Sequence, residues 1–207
     1  MKSIIVAASA AGFYLAATLG VAASATVQPA AMAGAEAKAK AVCQSCHGPK
    51  GESTLSAFPR LNGQTADYIV AQLQNFQNHS RNDPHAQVYM WSVSAQLDDT
   101  MVAALGKYFA DQKPTPPQIG GTLAAQGQKI FLNGVPSESV PACHVCHGQH
   151  GEGKGIFPRI AGQHGDYLKM QMEAFRSTLR ANRVMHANTQ NLTDGEIEAL
   201  SSFLAND

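Results

Sequence analysis

Ile69, Leu73 and Phe76 step along the chain by four and three, and Leu168, Met172 and Phe175 repeat those steps. The spacing puts each set on one helical face and predicts an amphipathic helix in each half. A second type of helix start is also written twice. Thr193 followed by Glu196 has the capping-box pattern, and Leu192 with Ile197 can form the hydrophobic staple around it. Leu97, Asp98 and Val102 repeat the staple with an aspartate cap. Alanine-rich segments predict helices over 35–42 and 122–132. No stretch alternates convincingly as a strand would, so the expected fold class is all-α.

Laying the second half over the first extends the match. "FPRLNGQ" (58–64) overlies "FPRIAGQ" (157–163), "DYIVAQLQNF" (67–76) overlies "DYLKMQMEAF" (166–175), and "MWSVSAQLDD" (90–99) overlies "MHANTQNLTD" (185–194). The last two blocks are offset by 99 and 95 positions, so four residues are missing from the second copy between them. Such gaps are expected in loops, which tolerate length change. Two units of about 85 residues make this a duplication and not a solenoid. Between them "DQKPTPPQIGG" (111–121) is rich in proline and glycine and reads as an extended linker. The expected domains are 34–111 and 122–207, joined by the linker 112–121. A unit of this size has a marginal apolar core. A large bound apolar group would complete it.

Composition narrows the function. The net charge is zero and only 14% of residues are charged, so no basic stripe exists and nucleic acid is not an expected partner. Residues 1–25 follow the secretory signal pattern: Lys2, an apolar run from Ile4 to Ala22, then Ala23-Ser24-Ala25. A second cleavage site, Ala31-Met32-Ala33, would put the start as late as 33. Removal of the signal leaves a protein expected outside the cytoplasm.

All four cysteines lie in "CQSCHGPKGES", from Cys43, and "CHVCHGQHGEG", from Cys143. Four chemistries use such pairs. A disulfide within Cys-x-x-Cys closes a very short loop, and a redox dithiol expects a βαβ context; neither explains the histidine. Zinc would need ligands 100 residues apart across the linker. Covalent haem uses every element. Cys43 and Cys46, like Cys143 and Cys146, lie on one side of a helical turn and can add to two vinyl groups. His47 and His147 follow on the same face, where an imidazole meets the iron. Gly48 and Gly148 leave room for the chain to turn away.

The repeat also narrows the sixth iron ligand. Met90 and Met185 each lie seven residues before a matched leucine, Leu97 and Leu192. His79, His85, His150, His164 and His186 are rivals, but none has a histidine at its repeat-equivalent position. Met101, Met170 and Met172 fit the role of core filler better. A His/Met pair favours Fe(II), raises the potential and leaves substrate no open iron position. That points to electron transfer, and no catalytic residue is expected.

From about residue 34 onward the paired "CxxCHG" motifs, the two "FPR" segments with their "GQ", the following tyrosines and the two methionines resemble the dihaem cytochrome c4 family. The resemblance implies two class I cytochrome c domains related by a pseudo-twofold axis, with two covalently bound haem c groups facing each other. It implies a periplasmic carrier passing single electrons from a respiratory donor to a terminal oxidase or reductase. The implied partners are redox proteins: a membrane quinol-oxidising complex, a terminal oxidase, or small copper or cytochrome carriers, with loose association to a membrane surface. A similar duplicated fold serves as the cytochrome subunit of flavocytochrome c sulfide dehydrogenases, which is the alternative. The resemblance further implies that Pro59 and Pro158 offer carbonyls to the Nδ1–H of His47 and His147, and that Arg60 and Arg159 hydrogen-bond haem propionates. Tyr68 and Tyr167 read as core aromatics with a polar tip. The copies differ by the loop 133–142 and by His186 in place of Trp91, differences expected to separate the two potentials.

Overall fold

A computed structural model describes residues 27–118 and 120–205; the signal expected at 1–25 lies outside them. Helix α1, Pro29–Lys38, has proline in its first turn, where a missing N–H costs nothing. It runs through a π-helical turn, Ala39–Cys43, into α2, Gln44–His47. Helix α3 spans Ala66–Gln77 and buries Ile69, Leu73 and Phe76, the stripe that the spacing predicts. A second π-helical turn, Ala86–Met90, leads into α4, Trp91–Ser94. Helix α5, Asp99–Ala110, starts where the Asp98 carboxylate accepts the Met101 N–H.

The second copy repeats this order: α6 (Gly121–Asn133), α7 (His144–His147), α8 (Gly165–Arg176), α9 (Arg183–Thr189) and α10 (Asp194–Leu204). Thr193 and Glu196 close the expected capping box on α10. Helix α8 departs from expectation in one residue: Gln171 is buried, and Met172 is only half-buried. Among the described residues there is no strand, only isolated bridges such as Val135 with Val140.

In each copy the first helix packs on the last, α1 on α5 and α6 on α10. The second crossing is close. A Cβ built on Gly127 would lie 1.9 Å from the Ala199 carbonyl oxygen and 2.9 Å from Phe203 Cβ. Gly127→Ala must therefore push α6 off α10, at a cost of roughly 1–3 kcal/mol for overpacking. Thermal unfolding of the holoprotein checks this: the midpoint should fall, and an unchanged midpoint would show that the crossing relaxes freely.

One boundary differs from the sequence reading, and two other segments take on more definite form. Helix α1 begins upstream of residue 34, and Val27, Ala31 and Met32 already pack against the first core, so a cleavage after 33 would fall within the helix. The four extra residues before Met90 are wound into the π-helical turn and not spread over a loop. Residues 113–118 of the linker form neither helix nor strand and are pinned. A Cβ on Gly63 would meet Pro114 Cβ at 2.5 Å, and one on the matched Gly162 would meet the Thr115 carbonyl oxygen at 1.8 Å. No described helix is long and apolar enough to cross a membrane.

Candidate haem sites and the interface between them

Cys43 ends the π-helical turn, and Cys46 and His47 follow on α2; Cys143, Cys146 and His147 sit likewise on and before α7. Both helices end at glycine, Gly48 with φ 74° and Gly148 with φ 86°, a region that side-chain-bearing residues rarely adopt. The turn brings the chain back under the histidine. His47 Nδ1 donates to the Pro59 carbonyl at 2.8 Å, and His147 Nδ1 donates to the Pro158 carbonyl at 2.9 Å. A carbonyl only accepts, so each bond fixes the tautomer with the proton on Nδ1 and leaves the Nε2 lone pair for a metal. Burial holds both imidazoles below the usual histidine range, that is, neutral as ligation requires; Arg81's positive charge acts in the same sense on His47, and the proline carbonyls oppose.

The cysteines make no disulfide. Burial pushes the Cys43 thiol up and the Cys143 thiol up to about 11, the opposite of a reactive redox thiol. No group of three or more His, Cys, Asp and Glu side chains among the described residues could hold a metal ion, which removes the zinc reading. The donor set left is one histidine per motif, with apolar surroundings. The exposed large apolar side chains include Val42, Val88, Tyr89, Val145, Ile156, Phe157 and Val184, neighbours in sequence of the motif, proline and methionine residues. Val145, between the two cysteines, is 74% exposed. Exposed apolar side chains beside the motif and methionine segments are what a bound apolar group would cover, and a porphyrin is a group of that size and polarity.

Met90 ends the π-helical turn and packs against the first core, while Met185 lies half-buried in α9. A row of aromatic rings links the first motif to its methionine segment: His47 to Phe58 at 6.2 Å between centroids, then Phe58 to Tyr89 at 5.2 Å. Three rival histidines have contacts of their own. His79 stacks on Trp91 at 3.9 Å, His85 meets Tyr89 edge-on, and His186 bonds to the Phe175 carbonyl.

The segments that orient the histidines also form the interface between domains. Gln163 accepts the Arg60 N–H at 2.8 Å and donates to the Arg60 carbonyl at 3.0 Å. Gln64 does the same for Arg159, at 2.7 and 2.8 Å. Each glutamine thus grips the residue after the other domain's proline. The Arg60 and Arg159 guanidinium groups reach backbone carbonyls, Gly162 and Thr115 among them. Deeper in the interface, Arg81 donates to Tyr167, Gln171 and Gln72, and Arg180 to Tyr68, Gln72 and Gln171. Each arginine also lies over its own domain's phenylalanine ring, Phe76 at 4.8 Å and Phe175 at 4.5 Å.

Gln64, Gln72, Arg81 and their partners Gln163, Gln171 and Arg180 are site residues that sequence reasoning missed. The available signal was identity between copies at polar positions, where solvent-facing residues have no reason to match. Tyr68 and Tyr167 were read as polar-tipped aromatics; their hydroxyls face the opposite domain's arginine.

Comparison with known proteins agrees with this geometry. The cytochrome c family model matches residues 31–113 and again 124–206. Cytochrome c4 of Thiocapsa roseopersicina is 40% identical over 82% of this chain and 88% of its own length. The crystal structure of reduced recombinant cytochrome c4 from Pseudomonas stutzeri superposes with TM-score 0.76 at 32% identity, covering 84% of this chain and 96% of that one. A "thiosulfate dehydrogenase electron acceptor" of Thiomonas intermedia is 33% identical over 86% of this chain and 80% of its own.

Proposed function

This chain belongs to the dihaem cytochrome c4 family, an electron-transfer protein with two covalently bound haem c groups, and on that premise we propose that it is a periplasmic carrier working between a respiratory donor and a terminal oxidase or reductase. The observation that carries this reading is the matched pair of histidines, each held by a proline carbonyl on a helical Cys-x-x-Cys-His turn. In it, Cys43, Cys46, Cys143 and Cys146 form the thioether links. His47 and Met90 ligate one iron, and His147 and Met185 the other. The bound haem supplies reversible one-electron exchange between Fe(III) and Fe(II). The protein supplies fixed ligands, so that little reorganises when the charge changes.

The other residues divide between holding and matching. Pro59 and Pro158 orient the imidazoles. Gln64 and Gln163 hold the segments on which those prolines sit. Arg60 and Arg159 reach backbone carbonyls across the interface and along the linker, which supports a role in joining the domains over one in binding propionates. Redox proteins are the partners. The likeness to a thiosulfate dehydrogenase electron acceptor supports donors that include a dehydrogenase of reduced sulfur besides a quinol-oxidising complex.

A redox titration followed by absorbance, with a pyridine haemochrome count, tests the reading. Two c-type haems titrating as two high-potential waves support it. One haem, or a low potential typical of bis-histidine ligation, overturns it. Stable copurification with a flavoprotein would move the protein to the alternative, the cytochrome subunit of a flavocytochrome c sulfide dehydrogenase.

A further inference from the structure

The buried arginine pair between the domains has one carboxylate among the described residues. Arg81 and Arg180 are both buried, at 8% and 6% exposure, and each bonds to side chains of both domains. Arg81 alone has a carboxylate: its Nε donates to Asp83 Oδ2 at 3.0 Å, and the Asp83 side chain is 4% exposed. The repeat places Asn182 where Asp83 stands. Asn182 is exposed and uses its side-chain oxygen to cap the Met185 N–H at 2.9 Å. Arg180 has only neutral partners among the described residues: Gln171, Tyr68, Gln72 and the Phe175 ring.

The imbalance belongs to the first haem's surroundings. Asp83 precedes the helical stretch that contains Met90, its carbonyl accepting the Gln87 N–H. The Arg81 carbonyl accepts the indole N–H of Trp91, the residue after Met90. Buried charges are poorly screened by salt. A negative charge nearby favours Fe(III) and lowers a haem's potential; a positive charge does the reverse.

We propose that Asp83, by neutralising Arg81 on the first domain's side of the interface only, sets the first haem's potential below that of the second. Asp83 is a positioning and tuning residue; it acts through Arg81. The inference rests on the two motifs being haem sites with methionine as sixth ligand.

The test is spectroelectrochemical titration of the holoprotein in three variants: Asp83→Asn, Arg81→Gln, and both together. Asp83→Asn leaves Arg81 uncompensated, so the lower wave rises and the gap narrows. The expected change in electron partition between the haems is about tenfold, or about 59 mV for a one-electron couple. Arg81→Gln leaves the carboxylate alone, and the gap widens. The double variant removes both charges and returns the gap close to its starting value. A merely structural role gives single-variant shifts of the same sign and a larger one for the double. Shifts of the same sign, or a gap unmoved by Asp83→Asn, overturn the proposal. Should Asp83→Asn fail to hold haem, Arg81→Gln decides: a wider gap supports the proposal, and an unmoved or narrower one overturns it. The haem count and the methionine–iron charge-transfer band of the wild-type protein report separately on the haem reading, so its failure is distinguishable.

Discussion

Met90→Ala lowers the potential of the first haem by an amount on the order of a few hundred millivolts, within the roughly 0.8 V that axial ligation spans. A thioether is a soft ligand that favours Fe(II), so its removal stabilises the oxidised form. The methionine–iron absorption band of the oxidised protein falls by about half, and Met185→Ala removes the other part. Met90 is half-buried against the first core, so some stability is lost as well. Packing loss alone would leave the band and both waves in place. That outcome would overturn the ligand assignment, and the stacked His79 or the neighbouring His85 would then be the next candidates on the first side.

The largest expected change in stability comes from the reciprocal glutamines. Gln64→Ala with Gln163→Ala removes four hydrogen bonds across the interface, besides one from each glutamine to the next residue's N–H, and leaves the N–H and carbonyl of Arg60 and of Arg159 without those partners. At about 1–3 kcal/mol for each unsatisfied buried group, less what water recovers, the double variant loses roughly 3–6 kcal/mol. The loss has a characteristic form. Unfolding in urea should change from one transition to two, because the bonds removed join the domains and not the cores. A single transition at an unchanged midpoint would show that the linker and the arginine pair hold the domains unaided.

Much of this molecule was legible in its sequence, for reasons specific to particular residues. Ile69, Leu73 and Phe76 disclosed α3 because a core face has a period, and Thr193 with Glu196 disclosed α10 because a capping box has a fixed spacing. The histidine–proline pairs followed from the family likeness, and the structure bears out both bonds. The interface was not legible. Gln64 and Gln163 make contacts about 100 residues away, and no local pattern announces such a contact. Gln171 and Arg81 are polar residues in positions that ordinarily face water; only the tertiary partner explains their burial. The four extra residues before Met90 read as a loop because insertions usually are, whereas a π-helical turn absorbs added residues without ending the helix.

The reciprocal grip of Gln64 and Gln163 bears on how the two halves of the chain have diverged. A duplication begins with two self-sufficient copies. Here each copy depends on the other: the segment that steadies His47 is tied down by the second half, and the segment that steadies His147 by the first. Neither half of the coding sequence now specifies a finished centre, and a substitution at residue 64 or 163 is paid for by the other copy's histidine. A half-length fragment would lack the glutamine that holds the segment behind its own histidine.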